Sequence, residues 1–292
     1  MNPLSDDEIL QTVAEYGVLT VQQATELLFT SPQMARRRLR RLEVEGLILR
    51  RSGTLVGKRG RPEALIWLGE EGKRRLKTAS ELSVVASPER PRLIDHQILI
   101  NEMRLGLKRI EAKYGLHSRF IAATSPAAMD DSGASILRVS LPPDLQSGDQ
   151  QSFIPDGAFV LTDPRSHRSL LFFLEADMAT EALSNGKGTD VRQKILNYRT
   201  FLGSKGYKRF ESIFQSAFHG FRLLFLCHGL PRRQQLCRLV RELRPSDFSW
   251  VADKACLASQ GLTACIWSVG GRDEEAPCSI LGSLAQKGGG SR

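Results

Sequence analysis

The feature that most constrains the fold is an apolar run, LLFFL at 170–174, which leads directly into Glu175, Ala176 and Asp177. A strand that is apolar at every position is typical of a sheet covered on both faces, because a sheet with one solvent face alternates apolar and polar residues. A second run, FRLLFLC at 221–227, has the same character. The two runs predict a central sheet with helices on both sides.

The segments around these runs complete an α/β pattern between residues 95 and 270. Periodicity predicts helices at 95–113, 189–202 and 231–244, and strands at 119–124, 136–141, 153–161, 169–177, 221–227 and 263–269. Short polar turns between the early strands make those strands antiparallel neighbours. We therefore expect a mixed sheet flanked by helices, followed by a disordered tail at 271–292 that is rich in Gly, Ser and charged residues.

The first 80 residues predict a separate domain. Three helices come first, then two strands at 47–51 and 64–68 joined by the loop SGTLVGKRGRPE, then a short closing helix. This order is typical of a winged helix-turn-helix domain, in which the third helix enters the major groove of DNA. Residues 81–94 contain Pro88 and Pro91 and no sustained period, so we place a linker there.

Net charge points to the partner of this domain. The chain carries 41 Lys and Arg against 32 Asp and Glu, a net charge of +9, which favours a polyanion. Residues 36–61 contain ten basic residues and only two acidic ones, Glu43 and Glu45. Double-stranded DNA is therefore the expected partner.

The third helix carries most of this charge. Ser31 is a suitable N-cap, Pro32 suits the first helical position, and Gly46 suits a left-handed C-terminal position. At about 100° per residue, the apolar residues fall on one face and the basic residues on the other. The predicted DNA contacts are Gln33, Arg36, Arg37, Arg40 and Arg41 on this helix, and Lys58, Arg59 and Arg61 in the loop between the strands.

The loop suggests where the wing would bind. Arg59-Gly60-Arg61-Pro62 resembles the core of AT-hook peptides, whose extended arginines lie in the narrow minor groove of A·T-rich DNA. An A·T-rich flank is the expected contact. Two alternatives stay open, because a run of arginines also occurs on a merely solvated helix face, and many winged-helix domains bind proteins instead.

Three carboxylates stand out in the second domain. Glu175 and Asp177 share one side of their strand, and Asp156 in the preceding antiparallel strand can lie beside them. Three buried carboxylates repel one another unless a cation compensates, and such an oxygen-rich cluster suits Mg²⁺ or Mn²⁺. The alternative is that Asp156 and Asp177 simply lie at strand ends exposed to water.

These motifs carry a resemblance. Pro155-Asp156 followed by Glu175-Ala176-Asp177 resembles the PD-(D/E)xK signature of restriction-endonuclease-like enzymes, with Asp177 where lysine is expected. Lys194 and Tyr198, four residues apart on one helix, are similar to the QxxxY helix of some nucleases in that superfamily. With the winged helix, this layout resembles the replication-relaxation family of mobile elements and the mobilisation relaxases that use a restriction-endonuclease-like fold.

The resemblance implies a DNA-binding protein of a plasmid or other mobile element that makes a metal-dependent, site-specific nick. It implies Asp156, Glu175 and Asp177 as metal ligands, with Lys194 or Lys187 as the compensating charge. Tyr198 could serve as a nucleophile, although its position beside an apolar stripe favours packing. The rival hypothesis is a non-catalytic regulator or accessory factor with a degenerate nuclease-like domain. A homodimer or relaxosome-type partners are further expectations.

Several other classes of protein are excluded or disfavoured by the sequence. No run approaches the roughly 18 apolar residues of a membrane span, and the acidic N-terminus is unlike a signal peptide. The 5 cysteines form no CxxC pair, so neither a disulfide framework nor a zinc ribbon is indicated. We expect a cytoplasmic protein without membrane contact.

Overall fold

The computed structural model describes residues 4–52, 63–79, 91–142, 151–184 and 190–284. The chain divides into two compact units, Met1–Leu105 with Thr124–Gly133, and Gly106–Ala123 with Ala134–Arg292. The predicted linker at 81–94 falls largely on residues that the structure does not describe. Residues 80–90 lie outside the described part, but residues 91–105 belong to the first unit.

The α-helices of the described residues are α1 (Asp6–Tyr16), α2 (Val21–Leu28), α3 (Pro32–Val44), α4 (Glu70–Ala79), α5 (Pro91–Tyr114), α6 (Val191–Gly203), α7 (Phe210–Phe214), α8 (Leu230–Glu242) and α9 (Lys254–Gln260). The strands are β1 (Leu19–Thr20), β2 (Ile48–Ser52), β3 (Ala64–Leu68), β4 (His117–Ala122), β5 (Val139–Ser140), β6 (Ser152–Phe153), β7 (Gly157–Asp163), β8 (Arg168–Asp177), β9 (Phe221–Cys227), β10 (Ser249–Asp253) and β11 (Ser268–Val269). No helix among these is both long and apolar enough to cross a bilayer.

The first unit begins with three short helices whose ends are set by local capping. Ser5 and Thr20 each form a capping box with the residue three positions later, and Ser31 caps α3. Gly46 ends the α3 segment with φ +69°, as its position in the sequence predicts. A three-stranded antiparallel sheet in the order β1-β3-β2 packs against these helices.

The core of the first unit lies between these helices and the sheet. It is formed by buried apolar residues of the helices α1 to α4, of the strands and of the segment before β2: Ile9, Leu10, Val13, Tyr16, Leu19, Ala24, Leu28, Leu39, Leu42, Leu47, Ile48, Ile66, Leu68 and Leu76. Each helix contributes one apolar stripe, so its opposite side faces solvent.

The second unit is built on a six-stranded mixed sheet in the order β11-β10-β9-β8-β7-β4. The strands β8, β9 and β10 are parallel to one another, whereas β4, β7 and β11 pair antiparallel with their neighbours. The mixed α/β architecture predicted from the apolar runs is confirmed. Phe172 and Phe173, which point to opposite faces of β8, are both fully buried, so both faces of the sheet are covered.

Two local predictions in this unit are wrong. The segment at 136–141 does not join the main sheet, because Val139 and Ser140 pair only with the short strand β6. The tail from residue 271 was expected to be disordered, but part of it, up to residue 284, is packed in the structure. Cys278 forms an antiparallel bridge with Trp267, and Ile280 and Leu281 are 0% and 3% exposed.

Candidate functional site

The surface of α3 separates into an apolar and a basic side. Ala35, Leu39 and Leu42 are buried, whereas the side chains at 33, 36, 37, 40 and 41 are exposed. This is the division that the sequence predicts from helical periodicity. The buried side fixes the helix to the core and leaves the other side open to a partner.

The arginines of α3 fall into two groups. Asp6 of α1 accepts hydrogen bonds from Arg38 (Nη2 to Oδ1, 2.7 Å) and from Arg41 (Nη2 to Oδ2, 2.5 Å). Burial opposes ionisation of Asp6, but the hydrogen bond and charge of Arg38, together with Arg41, lower its pKa. Arg38 and Arg41 therefore attach α3 to α1.

The other three arginines of α3 are available. Arg36, Arg37 and Arg40 form no ion pair with any residue that the structure describes. An arginine whose guanidinium has no internal carboxylate retains its full capacity to bind an external anion or a base edge.

A groove of about 1060 Å³ runs beside this helix within the first unit. Arg36 from α3 and Arg50 and Arg51 from β2 line it, together with Glu26, Glu43 and Glu63. Glu63 is partly engaged, because its Oε1 accepts the backbone N–H of Gln22 at 2.8 Å. Three arginines and three glutamates therefore line the groove.

Four predicted residues lie outside the described part of the chain. They are Lys58, Arg59 and Arg61 of the loop and Lys187 of the β8–α6 connection.

In the second unit, Asp156 and Glu175 are brought together by the antiparallel pairing of β7 and β8. Gly157 lies opposite Leu174, and continuing that register by one residue sets Asp156 opposite Glu175. Asp156 Oδ2 accepts a hydrogen bond from the backbone N–H of Ala176 at 2.8 Å, which holds the aspartate beside the end of β8. The proximity predicted from sequence is confirmed for this pair.

Glu175 is 3% exposed and receives two donors from α6. Lys194 Nζ lies 2.9 Å from its Oε2, and Tyr198 Oη donates to its Oε1 at 2.7 Å. Because the two residues are four apart on the helix, they share one face and reach the same carboxylate. Lys194 also lies 3.3 Å from Glu181 Oε2.

The cluster formed by Asp156, Glu175, Glu181 and Lys194, hereafter the carboxylate–lysine cluster, holds more negative than positive charge. Burial raises the pKa of Glu175 to about 7, and the charge of Asp156 adds to this against the opposing effect of Lys194. Burial disfavours the charged form of Lys194, but Glu175, Asp156 and Glu181 together raise its pKa. Among the described residues, Lys194 forms ion pairs with both Glu175 and Glu181.

Asp177 is engaged elsewhere. Arg232, in the first turn of α8, donates to both of its oxygens, with Nε–Oδ1 3.0 Å and Nη2–Oδ2 2.9 Å. The two side chains are 8% and 10% exposed. Asp177 Oδ1 also accepts the N–H of Ala179, and Arg232 donates to the carbonyl of Glu181, so the pair holds the segment that follows β8.

The predicted three-carboxylate metal site is therefore not formed by these residues. No group of three or more His, Cys, Asp or Glu side chains in the described ranges is arranged to hold a metal ion. Asp177 forms a forked ion pair with Arg232, whereas Glu175 is engaged by Lys194 and Tyr198. Asp156 and Glu175 remain beside each other, with Lys194 adjacent.

Sequence reasoning missed Arg232 and Glu181 as members of this region. Both reach it through tertiary structure, since Arg232 follows β9, the parallel neighbour of β8. The order of the strands could have predicted the position of Arg232, because a residue just after β9 lies near the end of β8 when the two strands are parallel.

Comparison with known proteins bears on this layout. The family model described as replication-relaxation matches residues 10–215, well over half of the chain. The chain belongs to the replication-relaxation family. No curated protein matches it, and no solved structure matches it. The match covers the first unit from residue 10 onward, Asp156, Glu175 and α6. Membership points to a role in replication or mobilisation of plasmids or other mobile elements.

Proposed function

We propose that this member of the replication-relaxation family is a DNA-binding protein whose first unit is a winged helix-turn-helix. The observation that carries the proposal is the row of exposed arginines on α3 that form no ion pair within the described part of the chain. Gln33, Arg37 and Arg40 share the exposed side of a helix whose other side is buried in the core. Arginine binds guanine and glutamine binds adenine through paired hydrogen bonds in the major groove.

The β2–β3 pair supports the same function. Arg50 and Arg51 of β2 line the groove described above together with Arg36 of α3, beside the three glutamates of the same groove. Phosphate contacts of this kind fix the position of a protein on the duplex, while side chains on the helix read the sequence. Arg41 takes a smaller part than the sequence suggests, because Asp6 holds it.

The test begins with duplexes selected from a random library by the full-length protein. Fluorescence anisotropy at several salt concentrations then compares Arg40→Ala with its matched control Arg41→Ala. If Arg40 contacts a base, its loss weakens binding to the selected site by about 1–3 kcal/mol, and if it contacts phosphate, the salt slope falls by about 0.9. Equal losses in the two variants, or no preference for any selected duplex, would reject the proposal.

A second candidate activity is a metal-dependent nick in one DNA strand. The observation that favours it is the carboxylate–lysine cluster, in which Asp156 and Glu175 lie beside each other and Lys194 Nζ lies 2.9 Å from Glu175 Oε2. Mg²⁺ is commonly held by one or two carboxylates together with substrate phosphates, so Asp156 and Glu175 fit it or Mn²⁺ without Asp177. A bound divalent ion supplies Lewis acidity at a phosphate and lowers the pKa of an attacking water.

The residues in and beside the carboxylate–lysine cluster have different roles in the proposed nicking activity. Asp156 and Glu175 provide the oxygen ligands, and Lys194, whose side chain is 29% exposed, provides positive charge for a phosphate. Asp177 and Arg232 hold the segment after β8 in place.

Supercoiled plasmid carrying the selected site tests the nick, with Mg²⁺ or Mn²⁺ and full-length protein. Wild type is expected to form open circles, and Glu175→Gln and Asp156→Asn to lose at least about a hundredfold in rate. Asp177→Asn is the control, expected to retain Mn²⁺ affinity measured by calorimetry. If wild type binds its site but leaves the plasmid supercoiled with both metals, the rival regulator hypothesis holds instead.

A further inference from the structure

Tyr198 is a buried tyrosine whose ring is held on several sides. It is 0% exposed, and its ring centroid lies 4.6 Å from that of Phe153, 5.8 Å from Phe173 and 6.0 Å from Phe221. An aromatic ring in such packing has little freedom to change rotamer. Its hydroxyl oxygen is therefore a fixed point in the second unit.

That fixed hydroxyl donates to Glu175 Oε1 at 2.7 Å. The other oxygen of Glu175 faces Lys194, but the lysine is shared with Glu181 and has a long flexible stem. Of the two donors, Tyr198 is the one whose side chain is fully buried among packed rings, whereas the Lys194 side chain is 29% exposed. The orientation of the Glu175 carboxylate therefore depends mainly on Tyr198.

We propose that Tyr198 is a positioning residue that holds the Glu175 carboxylate in the orientation needed to bind a divalent cation together with Asp156. The inference rests on the proposed nicking function. Partners that orient a metal-binding carboxylate typically contribute about 10–100-fold to metal affinity.

The same geometry argues against Tyr198 as a nucleophile. The side chain has no access to solvent, and its hydroxyl is engaged by a carboxylate. Burial and the charge of Glu175 raise its pKa well above its ordinary value of 10.0, which disfavours the phenolate.

The test compares Tyr198→Phe with Tyr207→Phe in the full-length protein. Tyr207 is the matched control, because it is 5% exposed and its ring packs against the same Phe221 at 6.0 Å. We expect Tyr198→Phe to weaken Mn²⁺ binding by calorimetry about tenfold or more and to raise the apparent KM for Mn²⁺, with the KM for DNA unchanged. Tyr207→Phe should leave all three values unchanged.

Unaltered Mn²⁺ affinity in Tyr198→Phe overturns the inference, as does a tyrosine-linked DNA adduct that wild type forms and this variant does not. If wild type binds no Mn²⁺, the proposed nicking function fails separately. Where wild type does bind Mn²⁺, crystal structures of wild type and Tyr198→Phe also test the positioning role. A Glu175 carboxylate displaced in the variant supports it, and one that keeps its place overturns it.

Discussion

Replacing Glu175 with glutamine should stabilise the second unit at alkaline pH, although it removes a residue of the proposed site. The carboxyl group is 3% exposed, and burial together with the charge of Asp156 raises its pKa to about 7. In the unfolded chain it returns to its ordinary value of 4.5. The folded protein thus favours the neutral carboxyl, which glutamine resembles in shape and charge.

The direction and size of the stability change in Glu175→Gln follow from the linkage between protonation and folding. Because the folded pKa lies above the unfolded one, the stabilising contribution of this group is fully present below pH 4.5 and is lost as the pH rises through about 7. A shift of this size corresponds to on the order of 3 kcal/mol at the alkaline limit. Glutamine does not ionise, so Glu175→Gln avoids that loss.

Urea denaturation at pH 5 and pH 8 in the presence of a chelator measures the effect. A Trp67→Phe background leaves Trp250 and Trp267 as the tryptophans, both in the second unit, so that fluorescence reports on that unit. The matched control is Glu242→Gln on α8, whose carboxylate is 60% exposed in its pair with Arg192. Surface changes of this kind usually stay within about 0.5 kcal/mol at either pH.

The expected pattern is a stability advantage of Glu175→Gln that grows from pH 5 to pH 8 and is absent in the control. An advantage that is constant with pH, or a variant that is less stable than wild type at pH 8, would refute the reasoning. The first result would mean that Glu175 does not titrate in this range. The second would mean that its ion pair with Lys194 outweighs the cost of burial.

Three further predictions concern packing and buried polar groups. A Cβ on Gly72 would lie 2.1 Å from the carbonyl oxygen of Leu47, so Gly72→Ala should lower the unfolding free energy of the first unit by about 1–3 kcal/mol. Gly203→Ala is the control, because a Cβ there would meet nothing within 4 Å, and it should be tolerated in the same denaturation assay. Asn101 is 0% exposed and donates to the carbonyls of Tyr16 and Val18, so Asn101→Ala should cost about 1–3 kcal/mol in the first unit, read from the fluorescence of Trp67. Asp177→Asn leaves Arg232, whose side chain is 10% exposed, without its carboxylate and should lower the melting temperature of the second unit, whereas an unchanged value would show that the pair is not structural.

Local signals were sufficient for most of the secondary structure. The limits of α3 follow from Ser31, Pro32 and Gly46, because caps and helix-terminating residues act within a few positions along the chain. The same holds for the face that α3 buries, which depends only on helical periodicity. The pairing of Asp156 with Glu175 was also predictable, since one short turn joins β7 to β8.

Contacts between distant parts of the chain were not predictable in this way. The first half of α5 belongs to the first unit, where Asn101 and Arg104 bind the carbonyls of Tyr16, Val18 and Glu15 at the end of α1. These residues look like ordinary surface polar groups in the sequence. The sequence therefore predicts a boundary in a proline-containing segment, whereas the two compact units divide within α5.

The sequence by itself determined that this chain has a basic helix with one buried face, and a doubly covered sheet with carboxylates where an apolar strand ends. Only the tertiary structure decided which charges remain available. Asp6 engages Arg38 and Arg41 but not Arg36, Arg37 or Arg40, and Arg232 engages Asp177 but not Glu175. The reason is physical: composition and periodicity fix which side chains reach a surface or a strand end, whereas the pairing of charges depends on which distant elements the fold brings within about 4 Å.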